Sequence, residues 1–185
     1  MITNNESSIK GELPAPFYNE PQTVYTRNAI KRGTSQFAFK SRPTAFLTLT
    51  VKEPWIKYRH ENGKWLIKET TLIKTASDLL HYVNRDCYGR NYRKNEKGLY
   101  GWGQIAPQKN HQPHLHLLIL NKHISPLHFL KLSRSIKSKV QKLNLFDTNG
   151  TDFRLIGGED SDHFRIGDYI GREGYTVTFD RNGIT

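Results

Sequence analysis

The segment from Pro113 to Leu120 is an apolar run that carries two histidines and ends at Asn-Lys. A run of this length, bounded by proline and by polar residues, predicts a buried β-strand. Successive side chains of a strand point to opposite faces of its sheet, so His114 and His116 would share one face. Their Cα atoms would lie about 7 Å apart, which lets both imidazoles bind one metal ion. The alternative is a pair of hydrogen-bonded core histidines with no ligand.

Patterns elsewhere predict further strands. Residues 45–51 alternate between apolar and β-branched types, and two other runs of strand type occur over 99–106 and 152–156. Only a polar turn separates 99–106 from the histidine strand, so we expect these two strands to be antiparallel neighbours.

Three other segments predict helices. Residues 75–78 resemble a capping box, which predicts the start of a helix there. Ser125 followed by Pro126 is typical of an N-cap and the first helical position. A third helix is expected over 162–172, although the two glycines within it lower its helix propensity.

The chain carries a strong positive charge. Its 185 residues include 28 Lys and Arg against 17 Asp and Glu, a formal net charge of +11. Such an excess favours a polyanionic partner, nucleic acid before a membrane surface. The single cysteine excludes an internal disulfide and fits a reducing compartment. Without a membrane span or a signal peptide, we expect a cytoplasmic protein of a prokaryotic host or infected cell.

The length fits one domain with a tail. Residues 1–36 are interrupted by Pro14, Pro16 and Pro21 and develop no hydrophobic period. We therefore expect a basic, partly extended lead-in over 1–36 and a single folded domain over 37–185.

The segment 55–69 predicts a β-hairpin around Asn-Gly. Basic and aromatic residues are interleaved along it, among them Lys57, Arg59 and Trp65. This mixture suits single-stranded DNA, because bases stack on aromatic rings while cations pair with phosphates. An ordinary amphipathic hairpin with a solvated face would have the same composition.

A helix from 162 to about 172 would gather four residues on one face, at offsets 0, 4, 7 and 8: Arg165, Tyr169, Arg172 and Glu173. A phenol is a poor nucleophile at its usual pKa of about 10. A divalent metal that polarises a phosphodiester, with arginines nearby, would make attack by the phenol feasible. The alternative is a surface tyrosine whose charged neighbours have no common role.

Taken in order, three segments resemble the motifs of the HUH endonuclease superfamily. Residues 46–50 look like its first motif, and His114-Leu-His116 has the histidine–hydrophobic–histidine pattern of its second. Residues 169–174, Tyr-Ile-Gly-Arg-Glu-Gly, are similar to its third motif, Tyr-x-x-Lys-Glu/Asp-Gly. The resemblance spans about residues 44–175 and is greatest to the rolling-circle replication initiators (Rep proteins) of plasmids, phages and circular single-stranded DNA viruses.

The resemblance implies an α+β fold, with a central antiparallel sheet of about five strands (RRM/palm-like) flanked by helices. It also implies a nickase in which His114 and His116 bind Mg²⁺ or Mn²⁺ and Tyr169 cleaves single-stranded origin DNA. The products would be a 5′-phosphotyrosine link and a free 3′-hydroxyl. Arg172 stands where the family usually has lysine, so it keeps the charge but cannot readily give up a proton.

The third metal ligand is left open by the resemblance. Gln104 on the preceding strand and Glu173 after the tyrosine are both candidates, and His111 is a poorer one. Two imidazoles would also bind Zn²⁺. Few residues follow Tyr175, so no helicase motor is expected there. A host helicase or polymerase would be recruited, unless this chain is part of a longer protein.

Two other functions fit parts of the same pattern. A single-tyrosine HUH transposase would also use a histidine pair with a tyrosine followed four residues later by a ligand, the place of Glu173. The first motif and Arg172 argue against it. A non-catalytic nucleic-acid-binding protein would explain the positive charge and would make His114 and His116 structural.

Overall fold

The computed structural model describes residues 24–52, 69–107, 113–121, 124–171, 175–180 and 183–184. The predicted hairpin, with Lys57, Arg59 and Trp65, lies outside these ranges except for Glu69. In chain order the described elements are α1 (Val24–Ser41), β1 (Ala45–Thr50), α2 (Glu69–Tyr88), β2 (Gly101–Pro107), β3 (Pro113–Ile119), α3 (Pro126–Leu143), β4 (Asp152–Leu155), α4 (Asp160–Ile170), β5 (Tyr175–Asp180) and β6 (Gly183–Ile184).

The strands form one antiparallel sheet in the order β4-β1-β3-β2-β5-β6. From β1 to β4 the chain reads β-α-β-β-α-β, the arrangement of a ferredoxin-like split β-α-β unit. The predicted α+β fold with helices on a central antiparallel sheet is confirmed. The described sheet has six strands where about five were expected, and β6 is only two residues long.

The larger hydrophobic core lies between one face of the sheet and helices α2 and α3. Leu47 and Leu49 of β1 meet Leu115 and Leu117 of β3 on this face, because these residues are cross-strand partners. The helices contribute buried residues at helical spacing: Leu79, Leu80 and Val83 from α2, and Leu132, Ile136 and Val140 from α3.

Helices α1 and α4 cover the opposite face, on which the histidines lie. A smaller core joins the helices to the sheet and consists of Ala38, Phe46, Trp102, Leu118 and Ile170. The glycines of the third predicted helix explain how α4 fits against α1. A Cβ on Gly167 would lie 2.7 Å from the Cα of Ser35, and one on Gly171 would collide with Thr34 Oγ1. The two glycines therefore lower the helix propensity of α4 but allow it to pack closely against α1.

The structure differs from the sequence predictions at the beginning of two helices, α1 and α2. Over 24–36 the structure has helix α1 within the lead-in that we expected to be partly extended, because tertiary contacts with α4 hold a segment that has no hydrophobic period of its own. The division into 1–36 and 37–185, whose boundary falls inside α1, stays a prediction. Helix α2 begins at Glu69 instead of Thr75, and the Thr75 hydroxyl donates to the carbonyl of Thr71 within the helix.

The other boundaries agree closely with the sequence patterns. Strand β1 ends at Thr50, and Val51 continues as an isolated bridge to Phe146. The hydroxyl of Ser125 accepts a hydrogen bond from the backbone N–H of His128, which confirms the N-cap of α3. In the described ranges, no helix is both long and apolar enough to cross a membrane.

Candidate active site

A row of polar side chains crosses the middle of the sheet on the α1/α4 face. His116 of β3 lies directly opposite Gln104 of β2 and directly opposite Thr48 of β1. Asp152 of β4 continues the row beyond Thr48. Cross-strand partners project from the same face, so strand pairing alone brings an amide, an imidazole and a hydroxyl together.

The two histidines are adjacent within this face. Their ring centroids are 4.4 Å apart and nearly perpendicular, and the residues are only 7% and 3% exposed. The hydroxyl of Thr48 lies 3.1 Å from Nδ1 of His116, at hydrogen-bonding distance. A partner at Nδ1 orients the ring and leaves Nε2 as the nitrogen that can bind a metal ion.

The site holds His116 in its neutral form. Burial, together with smaller electrostatic contributions from His114 and Arg154, lowers the pKa of His116 to about 3. A metal ion binds only the deprotonated imidazole, so no proton needs to leave His116 at neutral pH. The same neutrality would hold for a buried histidine without a ligand.

Gln104 brings a buried amide oxygen to the same face of the sheet. The residue is 3% exposed, and its Oε1 is buried without a hydrogen-bond partner among the described residues. A buried acceptor left in this state costs about 1–3 kcal/mol. Because Gln104 is the cross-strand partner of His116, its side chain projects from the same face of the sheet as the two histidines.

The donor set therefore fits a divalent metal. Two imidazoles and a neutral amide oxygen are ligands that Mn²⁺ and Zn²⁺ accept, whereas Mg²⁺ prefers more oxygens. In the described part of the chain, no group of three His, Cys, Asp or Glu side chains could hold a metal. The amide is then the described candidate for a third donor, while His111 and Glu173 lie outside the described residues.

Helix α4 places Tyr169 against this cluster. Its ring centroid lies 5.1 Å from that of His116 in an edge-to-face arrangement and 6.2 Å from that of Phe46. The buried Phe46 ring also stacks on His116 at 5.2 Å, so one phenyl ring contacts both groups. Tyr169 is 45% exposed, which leaves it accessible to a large substrate.

The predicted site residues are thus brought together only in part. His114, His116, Gln104 and Tyr169 lie at one place on the α1/α4 face. Arg165 is exposed one helical turn before the tyrosine, whereas Arg172 and Glu173 lie outside the described residues.

Three neighbours of the cluster were not predicted as site residues. Phe46 and Thr48 belong to the first motif, but its sequence did not indicate that they contact His116. Arg154 had no sequence signal at all, since its position depends on the pairing of β4 with β1.

No model of a known protein family matches the sequence, and neither does any curated protein. Among solved structures, the chain is similar to the N-terminal nuclease domain of minute virus of mice non-structural protein 1. Sequence identity is 12% and the TM-score is 0.32, over 81% of this chain and 72% of that chain. That nuclease domain has a unique Zn²⁺ coordination in its active-site pocket and a novel mode of DNA recognition at the origin of replication.

Proposed function

We propose that this chain is a metal-dependent HUH endonuclease that nicks single-stranded DNA at a replication origin and so initiates rolling-circle replication. One observation carries the proposal: an exposed tyrosine ring lies 5.1 Å from the imidazole of a buried histidine pair. The unsatisfied amide oxygen of Gln104 beside that pair supports a metal site over a purely structural cluster.

Each residue of the cluster has a distinct role in the proposed reaction. His114, His116 and Gln104 would hold Mg²⁺ or Mn²⁺, which when bound polarises a phosphoryl oxygen as a Lewis acid. Tyr169 Oη would lose its proton and attack phosphorus, so that a Tyr–O–P bond forms as the bond from phosphorus to the 3′-oxygen breaks. The departing oxygen takes a proton and leaves as a free 3′-hydroxyl, while the 5′-phosphate stays on the tyrosine.

The positive groups would stabilise the phosphate and hold the strand. Arg172 would neutralise charge that develops on the attacked phosphate. Arg165 is exposed on the same helix as Tyr169, where it can contact DNA. Lys57, Arg59 and Trp65 of the predicted hairpin would add cations and a stacking surface. A host polymerase would then extend the free 3′-hydroxyl of the plasmid, phage or viral replicon while a host helicase unwinds the duplex.

The direct test is incubation with end-labelled single-stranded DNA and Mn²⁺, followed by a denaturing gel. We expect a covalent protein–DNA adduct with the wild-type chain and none with Tyr169→Phe. The matched control is Tyr100→Phe, since Tyr100 is also exposed (41%) but lies on the approach to β2. That variant should form the adduct at the wild-type rate.

The other outcomes separate the alternatives. Adduct formation by Tyr169→Phe would rule out this nucleophile. Binding of DNA with neither nick nor adduct, in Mn²⁺ and in Mg²⁺, would make the chain a non-catalytic binding protein. Joining of cleaved ends to a second strand by a dimer would make it a transposase.

A further inference from the structure

Arg154 lies at the rim of the candidate active site, on the edge strand β4. It is the cross-strand partner of Phe46, and its guanidinium carbon lies 5.2 Å from the centre of the Phe46 ring. Tyr169 contacts the same ring at 6.2 Å. The side chains of Arg154 and Tyr169 therefore contact the same buried phenyl ring, and both are exposed to solvent.

Among the residues that the structure describes, the guanidinium of Arg154 makes only weak interactions. Its side chain is 58% exposed, and its ion pair with Asp152 has Nε and Oδ2 3.6 Å apart, beyond hydrogen-bonding distance. Exposed pairs of this kind contribute at most about 1 kcal/mol, so a stronger anion can displace the carboxylate. Arginine presents five N–H donors in a fork that matches the oxygens of a phosphate.

The alternative is that Arg154 only protects an edge strand. Charged residues on exposed edges prevent pairing with other chains, and β4 is at one edge of the sheet. That role requires no particular neighbour. The stacking on Phe46 instead holds the guanidinium at one place beside the cluster, which a purely protective charge does not need.

We propose that Arg154 binds a backbone phosphate of the single-stranded DNA, either the phosphate attacked by Tyr169 or the one adjacent to it. This inference rests on the proposed function and adds a phosphate-positioning residue to it from a strand that carries none of the three motifs. Arg154 and Tyr169 contact the same Phe46 ring, so a strand with a phosphate at Tyr169 can place that phosphate or the adjacent one at the guanidinium.

The experiment measures binding of a short single-stranded oligonucleotide in a Tyr169→Phe background, so that no cleavage occurs. Affinity is measured against salt concentration for Arg154→Ala, Arg154→Lys and a control, Arg90→Ala, an exposed arginine in the turn after α2. Each phosphate neutralised contributes about 0.7 to the slope of log K against log salt. We expect Arg154→Ala to lose about that much, and Arg90→Ala to keep the full slope.

A scan with neutral methylphosphonate linkages then locates the phosphate. At one linkage, methylphosphonate should weaken binding by the chain with Arg154 but leave Arg154→Ala unaffected. Arg154→Lys should keep the salt slope yet bind more weakly, because lysine lacks the fork. The proposal is overturned if Arg154→Ala, with an unchanged thermal melting curve, responds to every linkage as the chain with Arg154 does.

The scan also separates this inference from the function on which it rests. The wild type could form the adduct while no methylphosphonate linkage affects binding differently with and without Arg154. That result would overturn the inference and leave the proposed nickase unaffected. Conversely, one methylphosphonate linkage could weaken binding only when Arg154 is present while the wild type forms no adduct. That result would overturn the proposed nickase but keep Arg154 as a phosphate-binding residue.

Discussion

Mild acid should destabilise this protein through His116. The folded state keeps this imidazole neutral, with a pKa of about 3, whereas the unfolded chain takes up the proton near the ordinary value of 6.5. Between these two values the unfolded state binds more protons, so stability falls as the pH is lowered. A pKa unit corresponds to about 1.4 kcal/mol, so between pH 7 and pH 5 His116 alone should cost about 2 kcal/mol.

The assay is urea unfolding in EDTA at pH 7 and pH 5, for the wild type and for His116→Gln. The variant should be less stable at pH 7, because it loses a buried ring beside Thr48 and Phe46. Between pH 7 and pH 5, the free energy of unfolding of the variant should nevertheless fall by about 2 kcal/mol less than that of the wild type. His81, His128 and His163, whose pKa values are also lowered by burial, remain in both proteins and cancel in the comparison.

Equal pH dependence in the two proteins would refute the reasoning, since it would mean that His116 is not kept neutral by the fold. Saturating Mn²⁺ gives a second reading of the same group. The folded state keeps His116 neutral at both pH values, so protons do not compete with Mn²⁺ for this imidazole, and its contribution to the loss of stability should be the same with Mn²⁺ as with EDTA.

Three further predictions concern the tyrosine, the amide and the helix contact. Tyr169→Phe should bind Mn²⁺ and single-stranded DNA as the wild type does, in calorimetric titrations, because it loses only the nucleophilic oxygen; Tyr175→Phe should form the adduct normally. Gln104→Leu should raise the free energy of unfolding in EDTA by about 1 kcal/mol, because it removes a buried acceptor without a partner, while Mn²⁺ affinity falls. Gly167→Ala should lower stability by about 1–3 kcal/mol, since its Cβ would lie 2.7 Å from the Cα of Ser35. It should slow adduct formation more than it weakens metal binding, and equal effects on both would contradict this.

Local patterns in the sequence determined the type and approximate position of most described elements. The apolar run of β3 and the Ser125-Pro126 start of α3 depend on neighbouring residues alone, and both appear as predicted. The common face of His114 and His116 follows from the two-residue period of any strand. These features need no knowledge of which segments pack together.

The site itself was decided by tertiary structure. The polar row of Gln104, His116 and Thr48 depends on which strands are neighbours and in which register, and a shift of one residue would turn a side chain to the other face. Helix α1 and the approach of Tyr169 depend on contacts between segments far apart in the chain. Such contacts form because separate apolar surfaces are buried against one another. The local hydrophobic period of a segment predicts its apolar face but not which other segment packs against that face.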